Sequence, residues 1–129
     1  KYQVSPVGLQ LLLEESDVIT LHLPLDKSTK NMLSRERLEL IKRGAVLINL
    51  ARGGLVDELA LKEALLAKKL AGAALDVFEV EPPVDTDFVN MENVLVTPHI
   101  GGSTEEAILA MGMSAIEGLE NAKDPLAFT

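Results

Sequence analysis

The sequence predicts an α/β fold, a doubly wound parallel sheet, and two patterns support this prediction. Nearly continuous apolar segments predict strands at residues 17–22, 45–50, 71–76 and 93–97. Segments with helical periodicity lie before the first strand, between the first three strands and after the last one. Because strands that alternate with helices pair in parallel through right-handed crossovers, we expect one sheet with both faces buried.

The helices are predicted from their capping residues. We expect helices over residues 5–15, 34–42, 57–69 and 103–120. Ser5, Ser34 and Asp57 have the side chains of N-caps, and residues 103–106 have the pattern of a capping box. Pro6 suits the first helical position, Gly44 a helix stop, and Pro125 the exit from the last helix. Two lysines in the last turn of the 57–69 helix would favour its dipole.

Composition excludes several classes of function. The 129 residues are 47% hydrophobic and 25% charged, which suits one domain with a core. The net charge of −8 opposes binding to nucleic acid. There is no cysteine, and the two histidines have no metal-ligand spacing, so no metal site is predicted. We see no signal peptide and no apolar run that could span a bilayer, and we therefore expect a cytoplasmic protein without a membrane partner.

Reactive side chains follow successive predicted strands. Arg52 follows the second strand, Glu81 lies in the loop after the third, and His99 follows the fourth. In open α/β sheets, ligands bind beyond the carboxyl ends of the strands, so these side chains are expected at one edge. The sequence therefore predicts acid/base chemistry on a small anion.

The residue types suggest a role for each group. Arg52 offers a planar fork of donors for a carboxylate, and His99 can exchange a proton near neutral pH. Glu81 would orient the imidazole and favour its protonated form. Taken singly, each has a structural interpretation: Arg52 as a surface residue, Glu81 as a solvated acid, His99 as a structural histidine and Asp76 as a cap. Their placement at successive strand ends favours the catalytic interpretation.

Four motifs then resemble a known family. They are SDVITLHLPL at residues 16–25, GAVLINLARGGLVD at 44–57, LAGAALDVFEVEP at 70–82 and NVLVTPHIGGST at 93–104. In this order they resemble the signatures of D-isomer-specific 2-hydroxyacid dehydrogenases. The resemblance covers roughly residues 16–106 and implies a partial Rossmann-like NAD-binding domain.

The resemblance implies reversible hydride transfer between NAD(P)H and a 2-oxo acid, giving a D-2-hydroxy acid. It makes His99 the acid/base, Glu81 its partner and Arg52 the substrate-binding residue. It also implies a homodimer and NAD as cofactor, with NADP left open. The cofactor contacts that it implies are Leu23, Pro24, Thr29, Leu50, Ala51, Arg52, Asp76, His99, Gly101 and Gly102.

The branch of the family is suggested by two segments. Residues 28–32 and 99–107 look most like D-3-phosphoglycerate dehydrogenases. Formate dehydrogenases of the same superfamily carry Gln at the position of Glu81, so the glutamate argues against that branch. Glyoxylate/hydroxypyruvate reductases and phosphite dehydrogenases share Arg52, Glu81 and His99 and stay as alternatives. The pairs Gly53–Gly54 and Gly101–Gly102 would let backbone approach a ligand closely.

The sequence departs from the family in one respect. It contains no GxGxxG fingerprint and no match to the family's substrate domain. We therefore interpret residues 1–129 as one domain, the C-terminal portion of a nucleotide-binding domain, inactive by itself and belonging to a longer protein. The strand at residues 17–22 would then have a free edge through which the isolated chain self-associates, a hypothesis that a clean monomer in sedimentation would contradict. The alternatives are an NAD-sensing binding module similar to C-terminal-binding corepressors and a short, non-catalytic remnant.

Overall fold

A computed structural model describes residues 4–122. The chain divides into two compact units, one up to His99 and one from Ile100 onward. The prediction that residues 1–129 are one domain stays a prediction. None of the helices in the described part of the chain combines the length and apolar character needed to cross a bilayer.

The first unit is a parallel sheet with its connecting helices. Its elements are α1 (Leu9–Glu15), β1 (Val18–Leu21), α2 (Arg35–Leu40), β2 (Val46–Asn49), α3 (Glu58–Leu66), β3 (Gly72–Leu75), α4 (Thr86–Val89) and β4 (Val94–Val96). The strands pair in parallel in the order β1-β2-β3-β4. The predicted α/β class and all four predicted strands are confirmed. The second unit contains α5 (Glu105–Glu120).

The core lies on one face of the sheet. Ile19, Leu47 and Ala73 share this face by register, and they are buried in one cluster with α1, α2 and α3 residues such as Leu13 and Leu61. The order of the strands in the sheet follows their order in the chain, and crossover connections between parallel strands are right-handed. Helices α2 and α3 therefore lie on the same side of the sheet.

The opposite face is less covered. Val18 is 57% exposed and Leu95 67% exposed, so within residues 4–122 the expected burial of both faces is met on one face only. Among the described strands β1 pairs only with β2 and lies at the edge of the sheet, as predicted.

Two helix starts differ from the prediction. Helix α1 begins at Leu9 and not at Ser5, since Val7 is about half exposed and an earlier turn would have little to pack against. Helix α5 is capped by Thr104, whose hydroxyl accepts from the Ala107 N–H at 3.1 Å. The predicted capping box at Ser103 is therefore wrong. The Ser103 N–H donates to the Ile100 carbonyl in a turn, which moves the helix start one residue along.

Other helix ends also differ. Helix α3 begins after Asp57 as predicted, but it ends at Leu66, and Lys68 follows with a positive φ of 53°. The two lysines therefore lie beyond the helix. Helix α4 forms inside a segment without a predicted element, and its cap is Asp85, which accepts from the Phe88 N–H at 3.0 Å. Pro125 lies outside the described residues.

Candidate active site

The turn after β2 is held by a buried asparagine. Asn49 is 3% exposed, its Nδ2 donates to the Arg52 carbonyl at 2.9 Å, and its Oδ1 accepts from the Ala51 N–H at 3.1 Å. The buried Asn49 side chain therefore fixes the backbone of Arg52. The Arg52 side chain is exposed, and its Nη1 donates to the Ala51 carbonyl at 2.6 Å.

Gly53 joins this turn to the loop after β3. A Cβ at residue 53 would overlap the carbonyl of Phe78 and lie 2.6 Å from the Glu79 nitrogen. Gly54 has a φ of 76°, which disfavours a side chain at that position. The explanation offered by the sequence, that these glycines admit a ligand, needs correction at Gly53, because the approaching backbone is the protein's own.

Glu81 and His99 form a hydrogen-bonded pair at the carboxyl edge of the sheet. Glu81 Oε2 lies 2.7 Å from His99 Nδ1, and Glu81 Oε1 accepts from the Phe78 N–H at 3.0 Å. The side chains are 37% and 47% exposed, respectively. The bond to His99 lowers the pKa of Glu81 most, and the Phe78 N–H lowers it further. Glu81 thus holds Nδ1 of the ring and places Nε2 on its far side.

A cavity of about 450 Å³ adjoins this pair. Its lining includes Asp76, Glu81, Thr97 and His99, together with prolines and apolar side chains. Asp76 is 2% exposed, and its Oδ1 accepts from the Thr97 hydroxyl at 2.5 Å. The cavity therefore combines an acid/base pair, a buried carboxylate and apolar walls.

A second, more open groove of about 610 Å³ lies between the turns after β1 and β2. Five of the predicted cofactor positions line it, namely Leu23, Pro24, Leu50, Ala51 and Arg52. Thr29 does not line this groove. Its hydroxyl donates to the Pro24 carbonyl at 2.7 Å and accepts from the Asp26 N–H at 2.8 Å, so it supports the loop that carries Leu23 and Pro24. Gly101 and Gly102 belong to the second unit, and their predicted cofactor contacts stay predictions.

The predicted site residues are therefore divided between the cavity and the groove. Asp76, Glu81 and His99 line the cavity, whereas Arg52 lines the groove. Asn49, which shapes the Arg52 turn, was not among the predicted site residues. A polar amide at the end of an apolar strand was the available signal. Within the described residues, no three acidic or histidine side chains converge as metal ligands.

Comparisons with known proteins identify the family. A family model described as D-isomer specific 2-hydroxyacid dehydrogenase, NAD binding domain, matches residues 1–101. A D-3-phosphoglycerate dehydrogenase of Bacillus subtilis is 53% identical over 117 residues, which are 91% of this chain and 22% of that protein. A hydroxypyruvate reductase of Thermotoga maritima is 45% identical over 117 residues, 88% of this chain and 38% of that protein.

Solved structures give the same result. A glyoxylate reductase from Paecilomyes thermophila superposes with a TM-score of 0.85 at 39% identity, over 90% of this chain and 35% of that one. A D-lactate dehydrogenase from Aquifex aeolicus, complexed with NAD and lactic acid, superposes with a TM-score of 0.79 at 35% identity, over 88% of this chain and 39% of that one. The chain spans less than two fifths of the length of each of these four proteins. It belongs to the family of D-isomer specific 2-hydroxyacid dehydrogenases, through their NAD-binding domain.

Proposed function

We propose that this chain supplies the acid/base part of an NAD(P)-dependent D-2-hydroxyacid dehydrogenase. The observation that carries the proposal is the 2.7 Å contact between Glu81 Oε2 and His99 Nδ1 at the wall of a cavity. A histidine held at one ring nitrogen by a carboxylate is suited to moving a proton at the other nitrogen. Because the chain spans only part of its relatives, the activity is proposed for the full-length gene product.

The proposed reaction gives a distinct role to each of Arg52, Glu81 and His99. In the direction of reduction, a proton passes from His99 Nε2 to the oxygen of the substrate carbonyl, while Glu81 keeps the ring oriented through Nδ1. The exposed guanidinium of Arg52 suits the substrate carboxylate, which a planar fork of donors can bind in a bidentate manner. The same groups act in reverse on the hydroxy acid.

The residues of the open groove fit a nicotinamide cofactor. Leu23, Pro24, Leu50 and Ala51 provide apolar walls for a flat ring, and the carboxylate of Asp76 in the neighbouring cavity is suited to accept from a carboxamide. The chemistry that such a group supplies when bound is hydride transfer. NAD is proposed as the cofactor.

A phosphorylated three-carbon hydroxy acid is the proposed substrate. D-3-phosphoglycerate dehydrogenases of Bacillus subtilis, Methanocaldococcus jannaschii and Archaeoglobus fulgidus are 53%, 49% and 47% identical to this chain. A hydroxypyruvate reductase is only slightly less similar, at 45%, so the experiment must include the unphosphorylated acid.

The test is NADH oxidation by the full-length gene product with 3-phosphohydroxypyruvate, hydroxypyruvate, glyoxylate and pyruvate. We expect turnover to fall by about 10²- to 10⁴-fold in His99→Ala, because the proton donor is removed. Glu81→Gln should also lower turnover. Glu39→Gln, the same substitution at an exposed helix position, is the control and should leave turnover unchanged. Tight NADH binding without turnover on any of the acids would contradict the proposal and favour an NAD-sensing binding module.

The native assembly is proposed to be a homodimer in the cytoplasm. Among the described strands β1 pairs only with β2, and Val18 on the outer face of the sheet is exposed, so further protein, in the same chain or in a partner, can pack at this edge. Sedimentation of the full-length product as a monomer over its working concentrations would contradict the dimer.

A further inference from the structure

The segment that carries Glu81 is held at its start by contacts from outside it. The Phe78 carbonyl packs directly on Gly53, and the Glu79 N–H donates to Oε1 of Glu58 over 2.6 Å. Glu79 lies two residues before Glu81, whose own Oε1 accepts from the Phe78 N–H. The position of the Glu81 carboxylate thus depends on a short stretch of backbone that the turn at Gly53 and the first residue of α3 both contact.

Glu58 is well placed to hold the backbone at Glu79. It is the first residue of α3, directly after Asp57, whose carboxylate accepts from the Ala60 N–H at 2.9 Å and fixes the start of the helix. The Glu58 side chain is half-buried. Burial raises its pKa, the Glu79 N–H lowers it, and the nearby carboxylates of Glu79 and Glu81 raise it further. Burial and the nearby carboxylates therefore oppose the charge of Glu58, and the hydrogen bond from the Glu79 N–H to its Oε1 favours it.

We propose that Glu58 is a positioning residue for the Glu81–His99 pair. By accepting the Glu79 N–H, it holds the backbone turn from which Glu81 reaches Nδ1 of His99. Without this acceptor the N–H would exchange a protein partner for water, and the turn would lose a contact that restricts it. The role in catalysis rests on the proposed function, in which Glu81 orients His99.

A second contact between α3 and the same segment offers a matched comparison. Lys62 Nζ lies 2.7 Å from Asp85 Oδ2, four residues after Glu81, and Asp85 is the cap of α4. Lys62 and Glu58 thus tie one helix to one segment on opposite sides of Glu81. Loss of the Lys62 contact should lower stability without releasing the Phe78–Glu79 backbone.

The experiment compares Glu58→Met, Glu58→Gln and Lys62→Met in the full-length gene product. Methionine matches the length of the Glu58 side chain, is one atom shorter than Lys62, and removes the polar contact in each case. The glutamine amide oxygen can still accept the Glu79 N–H. The readouts are the carboxyl ¹³C titration of Glu81, the ring ¹⁵N shifts of His99, and kcat with KM. Hydrogen exchange of the Glu79 amide in the wild-type protein tests the bond itself without any variant.

Both Glu58 variants remove the same charge near Glu81, so we expect the pKa of Glu81 to be higher in Glu58→Met than in Glu58→Gln, and the His99 ring shifts to change in Glu58→Met only. The same variant should lower kcat by between about tenfold and a hundredfold, with a smaller change in KM. Glu58→Gln should keep the wild-type His99 ring shifts and kcat, and Lys62→Met should leave every readout at its wild-type value while lowering the melting temperature.

Three results would overturn the inference. They are the same Glu81 titration in Glu58→Met as in Glu58→Gln, His99 ring shifts that depart from the wild type as far in Glu58→Gln as in Glu58→Met, and wild-type exchange of the Glu79 amide as fast as that of the adjoining Val80 amide. A wild-type protein that oxidises no NADH would refute the proposed function instead. In that case the nuclear magnetic resonance and exchange measurements still decide whether Glu58 positions Glu81.

Discussion

The turn that carries Arg52 and the pair formed by Glu81 and His99 are built in opposite ways. In the Arg52 turn the backbone is fixed by the buried Asn49, and the charged side chain is left exposed. In the pair, two partly exposed side chains fix each other, and His99 has a backbone φ of 53°. The difference suits the proposed roles, since a group that captures a carboxylate can adjust to it, whereas a proton donor needs a set orientation.

The two regions meet at one point, and a substitution there should disturb both. We expect Gly53→Ala to destabilise the protein by about 3 kcal/mol or more, because its Cβ would overlap the Phe78 carbonyl and backbone must move. Denaturant unfolding measures the free energy, and a ¹⁵N spectrum should show shifts both at Arg52 and at Glu79.

The control for this substitution is a glycine at which an added Cβ would have open space. At Gly112 in α5, an added Cβ meets nothing within 4 Å, and alanine should stabilise the helix by roughly 0.5–1 kcal/mol. Equal losses of stability at the two glycines would show that contact with Phe78 does not explain the requirement at residue 53.

A second substitution should separate the regions. Asn49→Ala removes both side-chain bonds that shape the Arg52 turn and leaves the Ala51 N–H without its partner, at a cost of about 2 kcal/mol. Asn90→Ala removes one bond from an exposed asparagine to the Thr86 carbonyl, and we expect it to cost less than about 1 kcal/mol. Signals of the Glu81–His99 pair should stay at their wild-type positions in Asn49→Ala, and a shift there would mean that the two regions are not independent.

The sequence predicted the parts of this arrangement that depend on local pattern. Apolar runs gave the strands, and the rule that ligands bind beyond strand ends brought Glu81 and His99 to the same edge. The contact between them needed only that the loop after β3 return towards β4. These features survive small errors in helix boundaries, which is why the misplaced starts of α1 and α5 did not affect them.

Other features depend on packing that a single sequence does not display. Gly53 is required because the backbone of Phe78, which is distant in sequence, packs against it. In the sequence, a glycine required by backbone packing cannot be distinguished from a glycine required by a ligand. Ser103 and Thr104 are both good caps, and the turn at Ile100 decides between them. Helix α4 begins in a segment rich in proline and acidic residues, and its sequence does not distinguish the Asp85 cap from the other acidic side chains.

The smallest expected effect concerns the titration of Glu81. Its pKa is lowered first by the bond to His99 and then by the Phe78 N–H, while burial and the charge of Asp76 act in the opposite direction. A carboxyl group with a lowered pKa adds stability that is complete above its ordinary pKa of 4.5 and is lost as the pH falls through the lowered value. The advantage of wild type over Glu81→Gln should therefore shrink below about pH 4.5.

His99→Ala should raise the pKa of Glu81, because the bond to His99 is the largest cause of its lowering, while the Phe78 N–H still donates to the same carboxylate. The ¹³C titration of Glu81 in the two proteins measures this directly. Glu58 is the internal control, since burial raises its pKa above 4.5 and its contribution to stability is lost in the opposite direction, as the pH rises. If Glu81 titrated at the same pH with and without the imidazole, the two side chains would not fix each other, and the orientation of His99 would have to come from its backbone alone.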